Sequence, residues 1–509
     1  MDEPRRDEPH MSPRVMIIGA GVTGLVAAHE LGKVRGADGQ PRFDITVLES
    51  ADRVGGQIRT VDVDGARVDV GAEAAHLGAP HVAALVRELG IGESGIGAEP
   101  GSSVLVTRKG AIPLPEGVGP TGPTKLWPVL KSGILTLPGI VRAGLEPITA
   151  RRRHSDDLSV GEFTRRRFGR EVTDTFVDPL LGNLHGGDVH QLSLHATAPQ
   201  LVATAANRES MVWKNLRNAL PGGKAKAAPA PTQPRRATAE QPLPMFANWP
   251  DGLSTFTDAL AKGSRVRLNS RVKGVDRSPT GWYLTLADGQ VLEAEHVLFT
   301  TPGPDTARLL KDIAPQTAAA LDQVRTASVA TVLLGYDKQA AATSRILREH
   351  NGVLVPNRYV RTMKAATNLG RKWPHLGSTH HLVRASVGRS DNDLATSLSD
   401  EQLIRRVGEE FGDFVGLDAE PTFGAVYRWP EAMPQLAPGH LERMRVAREE
   451  VAALHGLHLA GSSVDGLGIG GTVKSGQRAA AEIVAATATA PTVSPTASST
   501  AVTTFEDAQ

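Results

Sequence analysis

The stretch "RVMIIGAGVTGLVAAHELG", Arg14 to Gly32, and the "FDITVLES" that ends at Ser50 constrain the fold more than any other part of the chain. A short apolar strand runs into three glycines spaced G-x-G-x-x-G (Gly19, Gly21, Gly24), a helix-patterned segment follows, and a second apolar strand ends on Glu49. This order predicts a βαβ unit. The glycines permit a tight turn, close approach of a diphosphate and close packing of helix on sheet, while the helix N-terminus faces the anion. Glu49 is placed to accept from both hydroxyls of a ribose. A 2′-phosphate would be repelled, which favours FAD or NAD over NADP.

Two other segments match the same spelling. Gly90, Gly92 and Gly95 follow a helical pattern and lead into no strand, so they read as a helix C-cap and turn. Gly466, Gly468 and Gly471, in "LAGSSVDGLGIGGTVKSGQRAAAEI", follow a strand and precede a helix, but no second strand with an acid comes after them. One nucleotide site is therefore expected. In "RVGGQIRT" a further glycine pair, Gly55 and Gly56, brings backbone close to the diphosphate again.

That second pair resembles flavin oxidases of the amine-oxidase type, and further segments resemble the FAD-dependent porphyrinogen oxidases within that superfamily. The segments are "VDVGAEAAHLGAPHVAALVRELGIG", "FVDPLLGNLHGGDVHQLSLHATAPQL", "MFANWPDGLSTFTDALA" and "LAGSSVDGLGIGGTVKSG". The likeness runs over most of residues 14 to 485. It implies an α/β fold: a Rossmann-like FAD-binding domain assembled from discontinuous segments, a mixed α/β substrate domain and a helical domain. By position, the resemblance assigns to FAD the loop Gly19, Ala20, Gly21, Val22, Thr23 and Gly24, with Glu49 and Ser50 after the second strand. It also assigns Gly56 and Gln57, Gly71, Ala72, Glu73 and Ala74, and Val272, which would hold adenine through backbone. Gly461, Leu467, Gly468 and Ile469 would cap the other end, where a helix N-terminus meets the charge that collects on the reduced flavin. Trp429 either borders the flavin or packs in the core.

The activity this resemblance implies is oxygen-dependent oxidation of coproporphyrinogen III to coproporphyrin III in haem biosynthesis, with release of hydrogen peroxide. Ser103 stands near the position where animal and plant protoporphyrinogen oxidases carry an arginine, which favours the copro-type substrate. Protoporphyrinogen IX oxidation, a flavin amine oxidase and a tailoring oxidase of secondary metabolism remain alternatives, as does a porphyrin carrier without turnover. Against an amine oxidase, Thr331 stands where that group has a lysine, and the chain has only four tyrosines to build an aromatic cage. Gly470, Gly471 and Thr472 depart from the family's usual Pro-x-Cys. No catalytic side chain is assigned. Arg108, Lys109, Lys125 and Lys131 are candidates to meet propionates, against a plainer role as solvated surface charge.

Lys and Arg number 56 against 55 for Asp and Glu, so nothing points to a nucleic-acid partner. The absence of cysteine excludes disulfides, thiolate metal sites and a cysteinyl link to flavin. His185, His190 and His195 recur every five residues, which fits neither a helix face nor zinc spacings, so no metal is expected. The start, "MDEPRRDEPHMSPR", is not a signal peptide, and no 18-residue apolar run occurs, so a cytoplasmic protein is expected. Lys131, Pro138 and Arg142 interrupt the apolar stretch Leu126 to Ile148, which reads as a buried helix pair or an interfacial one. A peripheral membrane contact and a ferrochelatase-type downstream enzyme remain open as partners beside porphyrinogen and molecular oxygen.

The expected organisation is a flexible start (1–13) and FAD-binding segments at 14–85, 245–304 and 431–486. A helical and substrate region takes 86–218, and a substrate domain takes 305–430. Residues 219–244 read as a disordered insertion and 487–509 as a disordered tail, both low in large apolar residues.

Overall fold

Five parallel strands form the centre of the nucleotide-binding part, in the order Arg265–Arg267, Asp44–Leu48, Arg14–Ile18, His296–Phe299, Leu457–Leu459. The four from Asp44–Leu48 to Leu457–Leu459 are short and mostly apolar, as strands covered on both faces require, while the edge strand Arg265–Arg267 carries two arginines. This computed structural model describes residues 12–150, 157–207, 209–213 and 243–489. Most of the expected 219–244 insertion, and the tail beyond 489, lie outside the described residues. The final helix, Ile469–Thr489, runs past the expected boundary at 487.

Distant segments close this sheet. The helix Val22–Gly32 crosses the final helix closely, because a Cβ at Gly476 would lie 2.6 Å from the carbonyl oxygen of Thr23. The other face is covered by a meander of Val272–Arg277, Trp282–Leu286 and Val291–Ala294, whose last turn is the "ADGQ" sequence. The helices Gly303–Leu310 and Pro315–Asp322 share that core with Phe299, Trp282 and Met444. Packing joins residues 303–322 to the nucleotide-binding side, whereas the sequence boundary at 305 leaves only 303 and 304 there and assigns 305–322 to the substrate domain.

A second sheet of seven strands has the order Phe423–Pro434, Thr326–Tyr336, His381–Val387, Met363–Asn368, Gly352–Leu354, Ser103–Thr107, Gly110–Pro113. Its last two strands come from the region expected to be largely helical, and its first runs past the boundary at 430. The short helices described within residues 126–150, 157–207 and 209–213 pack in part on Leu105 and Leu354 of this sheet, and they include a π-helical stretch, Thr173–Gly182, with Pro179 inside it. The stretch Leu126 to Ile148 is not a buried pair. Val129, Leu135 and Ala143 turn inward, while Trp127 (65%), Leu137 (74%), Val141 (59%) and Ile148 (65%) face outward. No helix among the described residues is long and apolar enough to cross a membrane.

One buried pair in the five-stranded sheet makes stability depend on pH. His296 Nδ1 and His458 Nε2, on neighbouring strands, are 3.1 Å apart, and the Thr487 hydroxyl lies 3.0 Å from the other His296 nitrogen. Burial holds both imidazoles below their usual range, His458 at about 3. The unfolded chain takes up protons near pH 6.5 that the folded pair refuses, so stability is full above about 6.5 and falls as pH drops toward 3. Replacing His458 with Gln should flatten the urea midpoint between pH 6.5 and 4.5. Equal pH slopes in the two proteins would show that the pair does not titrate as described.

Candidate cofactor site

Chain ends of the parallel strands converge on one long cleft. In an open α/β sheet, the crevice outside the carboxyl ends of the strands is where a ligand sits. Here the residues that follow four of those strands, Gly19, Glu49, Thr300 and Ser462, all line a cavity of about 520 Å³.

The first glycine loop forms its floor. Gly21, Val22 and Thr23 line the cavity with Gly19, and Gly21 is the N-cap of the helix Val22–Gly32. A Cβ at Gly21 would meet nothing within 4 Å, whereas one at Gly24 would lie 2.0 Å from the carbonyl oxygen of Gly19. The two glycines thus have different duties. Gly21 leaves room for a ligand, and Gly24 lets the helix pack under the loop. Ala20 and Gly24 do not line the cavity; the Ala20 N–H instead donates to Glu49 Oε2 at 2.8 Å. Glu49 Oε1 accepts from the Ala51 N–H at 2.8 Å. Two backbone donors thus fix the acid beside Ser50, Ser270 and Val272, which also line the cavity.

The second glycine pair reaches the first. Gly55 bridges Gly21, and a Cβ at Gly56 (φ +58°) would lie 3.2 Å from Gly21 Cα. Arg53 donates to the carbonyls of Val54, Gly56 and Ile58 and holds this turn in place. Gln57 and Ala72 continue the wall, and Leu467, Gly468 and Ile469 complete it where the final helix begins. The donor set is an acid for ribose, bare backbone for a diphosphate and a helix N-terminus for a second polar end. It fits a flavin dinucleotide, and added side chains at Gly21 and Gly56 would fill the cradle.

The remaining sequence-assigned residues stand outside this wall. Gly71 is pressed between backbone and ring: a Cβ there would lie 1.9 Å from the Gln57 carbonyl oxygen and 3.1 Å from Trp429. Trp429 packs on that glycine and donates to the Val70 carbonyl at 3.1 Å. Glu73 does not line the cavity. It pairs with Lys372 (2.5 Å) and Arg384 (3.1 Å) and accepts from the Trp373 indole at 3.0 Å. Although burial opposes it, these partners hold its carboxyl down at about 2. Ala74 packs at the edge of a small core with Val68 and Trp373. Gly461 (φ +117°) makes the bend after the last strand, its N–H donating to Ser475. Sequence reasoning missed Arg271, Lys273, Thr301 and Arg308, which also line the cavity. The strand-end rule exposes Thr300 and Thr301, directly after "HVLF"; the cations carry no such signal.

Arg108, Lys109, Lys125 and Lys131 are all exposed. Lys109 reaches the Gly133 carbonyl, Lys125 pairs with Glu116, and Lys131 lies over Trp127. Among the described residues, no three His, Asp or Glu side chains are grouped to hold a metal ion.

Residues 22–484 match the family model described as flavin containing amine oxidoreductase. The chain belongs to that family. Its fold is the family's α/β flavin-binding fold, its cofactor is FAD, and it is an oxidoreductase. It is 30% identical over 475 residues to a coproporphyrinogen III oxidase of Bacillus subtilis strain 168, covering 92% of this chain and 97% of that one. A coproporphyrinogen III oxidase of Mycobacterium tuberculosis H37Rv is 31% identical over 481 residues, covering 94% and 98%. The crystal structure of a putative protoporphyrinogen oxidase from Exiguobacterium sp. 255-15 superposes with a TM-score of 0.79 at 27% identity, covering 93% of this chain and 99% of that one. Cyclohexylamine oxidase from Brevibacterium oxydans shares the fold at a TM-score of 0.64 and 17% identity.

Proposed function

We propose that this chain oxidises coproporphyrinogen III to coproporphyrin III, using FAD and molecular oxygen and releasing hydrogen peroxide. The observation that carries the reading is the reach of the likeness. Coproporphyrinogen III oxidases match at about 30% identity over more than 90% of both lengths. A tobacco mitochondrial protoporphyrinogen oxidase matches at 26%. Locally, Thr331 supports the same choice against an amine oxidase. The residue is 4% exposed and its hydroxyl donates to the Val70 carbonyl at 2.7 Å, so it presents no amine to a flavin.

The flavin supplies hydride acceptance and reaction with oxygen when bound. The protein's own part is to fix the cofactor and keep water away. Arg384 holds Gly71 by its carbonyl, and Trp429 holds Val70 by its own, so the segment beside the flavin is tied to the seven-stranded sheet from two sides. A downstream partner of the ferrochelatase type would take the product. The outward row Leu137, Val141 and Ile148 is the face on which a peripheral membrane contact would rest, and sedimentation with anionic vesicles tests it.

Anaerobic mixing with coproporphyrinogen III should bleach the flavin, protoporphyrinogen IX should act more slowly, and amines should leave it oxidised. Reoxidation in air should yield peroxide. Faster reduction by protoporphyrinogen IX, or reduction by an amine alone, overturns the proposal. A protein that binds the porphyrinogen without bleaching is a carrier.

A further inference from the structure

Lys364 differs from the other buried cations. Arg167 is neutralised by Glu146, Arg389 by Asp178, and part-buried Arg384 by Glu73. Lys364 is 3% exposed, and among the described residues its Nζ has no hydrogen-bond or ion-pair partner. An unpaired buried ammonium is costly, so a chain that keeps one has a use for it or keeps it neutral.

The surrounding backbone aims this side chain. Pairing between Met363–Asn368 and His381–Val387 slips between Met363 and Ala365, which leaves Lys364 as the bulged residue. Bulges of this kind re-aim a side chain and recur beside active sites. The Lys364 carbonyl accepts from the Val355 N–H at 3.0 Å and from Asn183 Nδ2 at 2.8 Å. Asn183 in turn accepts from Arg389 at 2.8 Å, and Arg389 donates to Asp178 at 2.8 Å. The π-helical turn and the seven-stranded sheet are therefore locked together around this one residue.

The amine points to the cofactor side of the sheet. A Cβ at Gly186 would lie 3.5 Å from Nζ, 3.3 Å from Val329 and 3.4 Å from Met433. Val329 shares a strand face with Thr331, which bonds Val70. Ala432, next to Met433, accepts a hydrogen bond from the Gln57 side chain, which lines the flavin cleft.

We propose that the neutral amine of Lys364 accepts the proton that leaves the substrate with each hydride, an inference that rests on the porphyrinogen reading above. In each two-electron step a C–H bond at a bridging carbon breaks, and its hydrogen leaves with the electron pair to the oxidised flavin. A proton leaves as well, from a pyrrole N–H in two of the three steps and from the fourth bridging carbon in the remaining one; the electron pair it leaves behind stays in the new conjugation, and the proton passes to Nζ. Oxygen then takes up two electrons and two protons as hydrogen peroxide, and the lysine returns to the free amine.

The charges around the amine suit that task. Arg384 faces it from its own sheet, and Arg389 and Asp391 face it from the following loop. Asp178 and His185 come from the helical side, and the strand carrying Met433 also holds Arg428, which pairs with Asp400, and the exposed Glu431. Asp178 is committed to Arg389, and burial holds His185 neutral, with its pKa at about 4, too weak a base for the role. Burial, followed by the two arginines, lowers the lysine to about 7.

The test uses the FAD-loaded enzyme and Lys364→Met, with Lys364→Arg as a variant that stays charged. Flavin reduction by coproporphyrinogen III at pH 7 should fall by about 100-fold or more in both. The wild-type rate should rise through about pH 7, with the variants losing that inflection and a small primary amine partly restoring Lys364→Met. Affinity for coproporphyrin III, read by fluorescence quenching, should change less than about threefold, a margin below the roughly tenfold effect of 1.4 kcal/mol. Independently of turnover, competitive acetylation of the wild-type protein read by peptide mass spectrometry should place the Lys364 midpoint near 7, against about 10.4 for ordinary lysines. An affinity loss that matches the rate loss marks a carboxylate anchor and overturns the proposal. So does a labelling midpoint near 10, or an inflection kept by both variants. If no porphyrinogen bleaches the wild-type flavin, the substrate reading itself falls and takes this one with it; wild-type bleaching with unaffected variants removes this one alone.

Discussion

Gly21→Val should give a folded protein that cannot keep its flavin, while Gly24→Ala should fail at the level of the fold. Gly21 has φ −74° and ψ 178°, extended backbone that any residue adopts, and a Cβ there meets no atom within 4 Å. The space it would enter is the cleft itself. The valine therefore occupies the diphosphate's place without straining the chain. Flavin retention after desalting should drop by more than about 100-fold, corresponding to about 3 kcal/mol of lost binding. Far-UV circular dichroism and the apoprotein's melting temperature should stay unchanged.

Gly24 is the opposite case. Its added methyl would sit 2.0 Å from the Gly19 carbonyl oxygen and 2.9 Å from the Thr300 hydroxyl. Backbone cannot rotate away as a flexible side chain can, so the helix must lift off the sheet. Overpacking of that kind costs about 1–3 kcal/mol or more. Thermal unfolding of the two apoproteins separates the cases. A Gly21→Val protein that melts early, or a Gly24→Ala protein as stable as wild type, would contradict this division of labour.

That division was half visible in the sequence. The spacing of Gly19, Gly21 and Gly24 between a strand and a helix announces a nucleotide cradle, because each glycine answers a local steric demand. "RVGGQIRT" is legible for the same reason, and the bridge from Gly55 to Gly21 follows from it. Glu73 is the contrasting case. Its segment, "VDVGAEAAHL", runs beside the flavin cleft through Ala72, and the family resemblance of the whole segment placed Glu73 with the cofactor residues. Its partners Lys372, Trp373 and Arg384 lie some three hundred positions downstream, and no local pattern records that meeting. Lys364 was invisible for a related reason. In "TMKAATN" a lone lysine reads as the wet face of a strand, and only the register slip after Met363 turns it inward. The helices at 303–322 carry ordinary amphipathic patterns, which say that a face is buried but not against which sheet.

Glu73→Gln should destabilise the protein by about 3 kcal/mol at pH 7, the lower end of the cost of breaking a buried ion pair. Glu73 is 12% exposed, and it neutralises Lys372 and Arg384 together. Glutamine keeps the shape and an acceptor for the Trp373 indole, but leaves two cations facing each other. The lower end applies because Lys372 retains 27% exposure, so water can partly screen it. The sign of the pH dependence follows from the depressed carboxyl. The folded protein holds Glu73 ionised down to about pH 2, whereas an unfolded glutamate takes its proton near 4.5. Its contribution is therefore complete above about pH 4.5 and is lost as pH falls toward 2. Urea unfolding at pH 7 should show the full gap between wild type and Glu73→Gln, with the gap narrowing below pH 4.5. Adding Lys372→Met to Glu73→Gln should recover part of the loss, because one of the stranded charges goes. Flavin affinity should weaken in the single variant as well, since Arg384 also holds the Gly71 carbonyl and the next residue, Ala72, lines the cleft. A gap below about 1 kcal/mol at pH 7, or one that persists unchanged to pH 3, would mean that the triad is solvated rather than buried, and that the sheet grips the flavin segment through Trp429 and Thr331 alone.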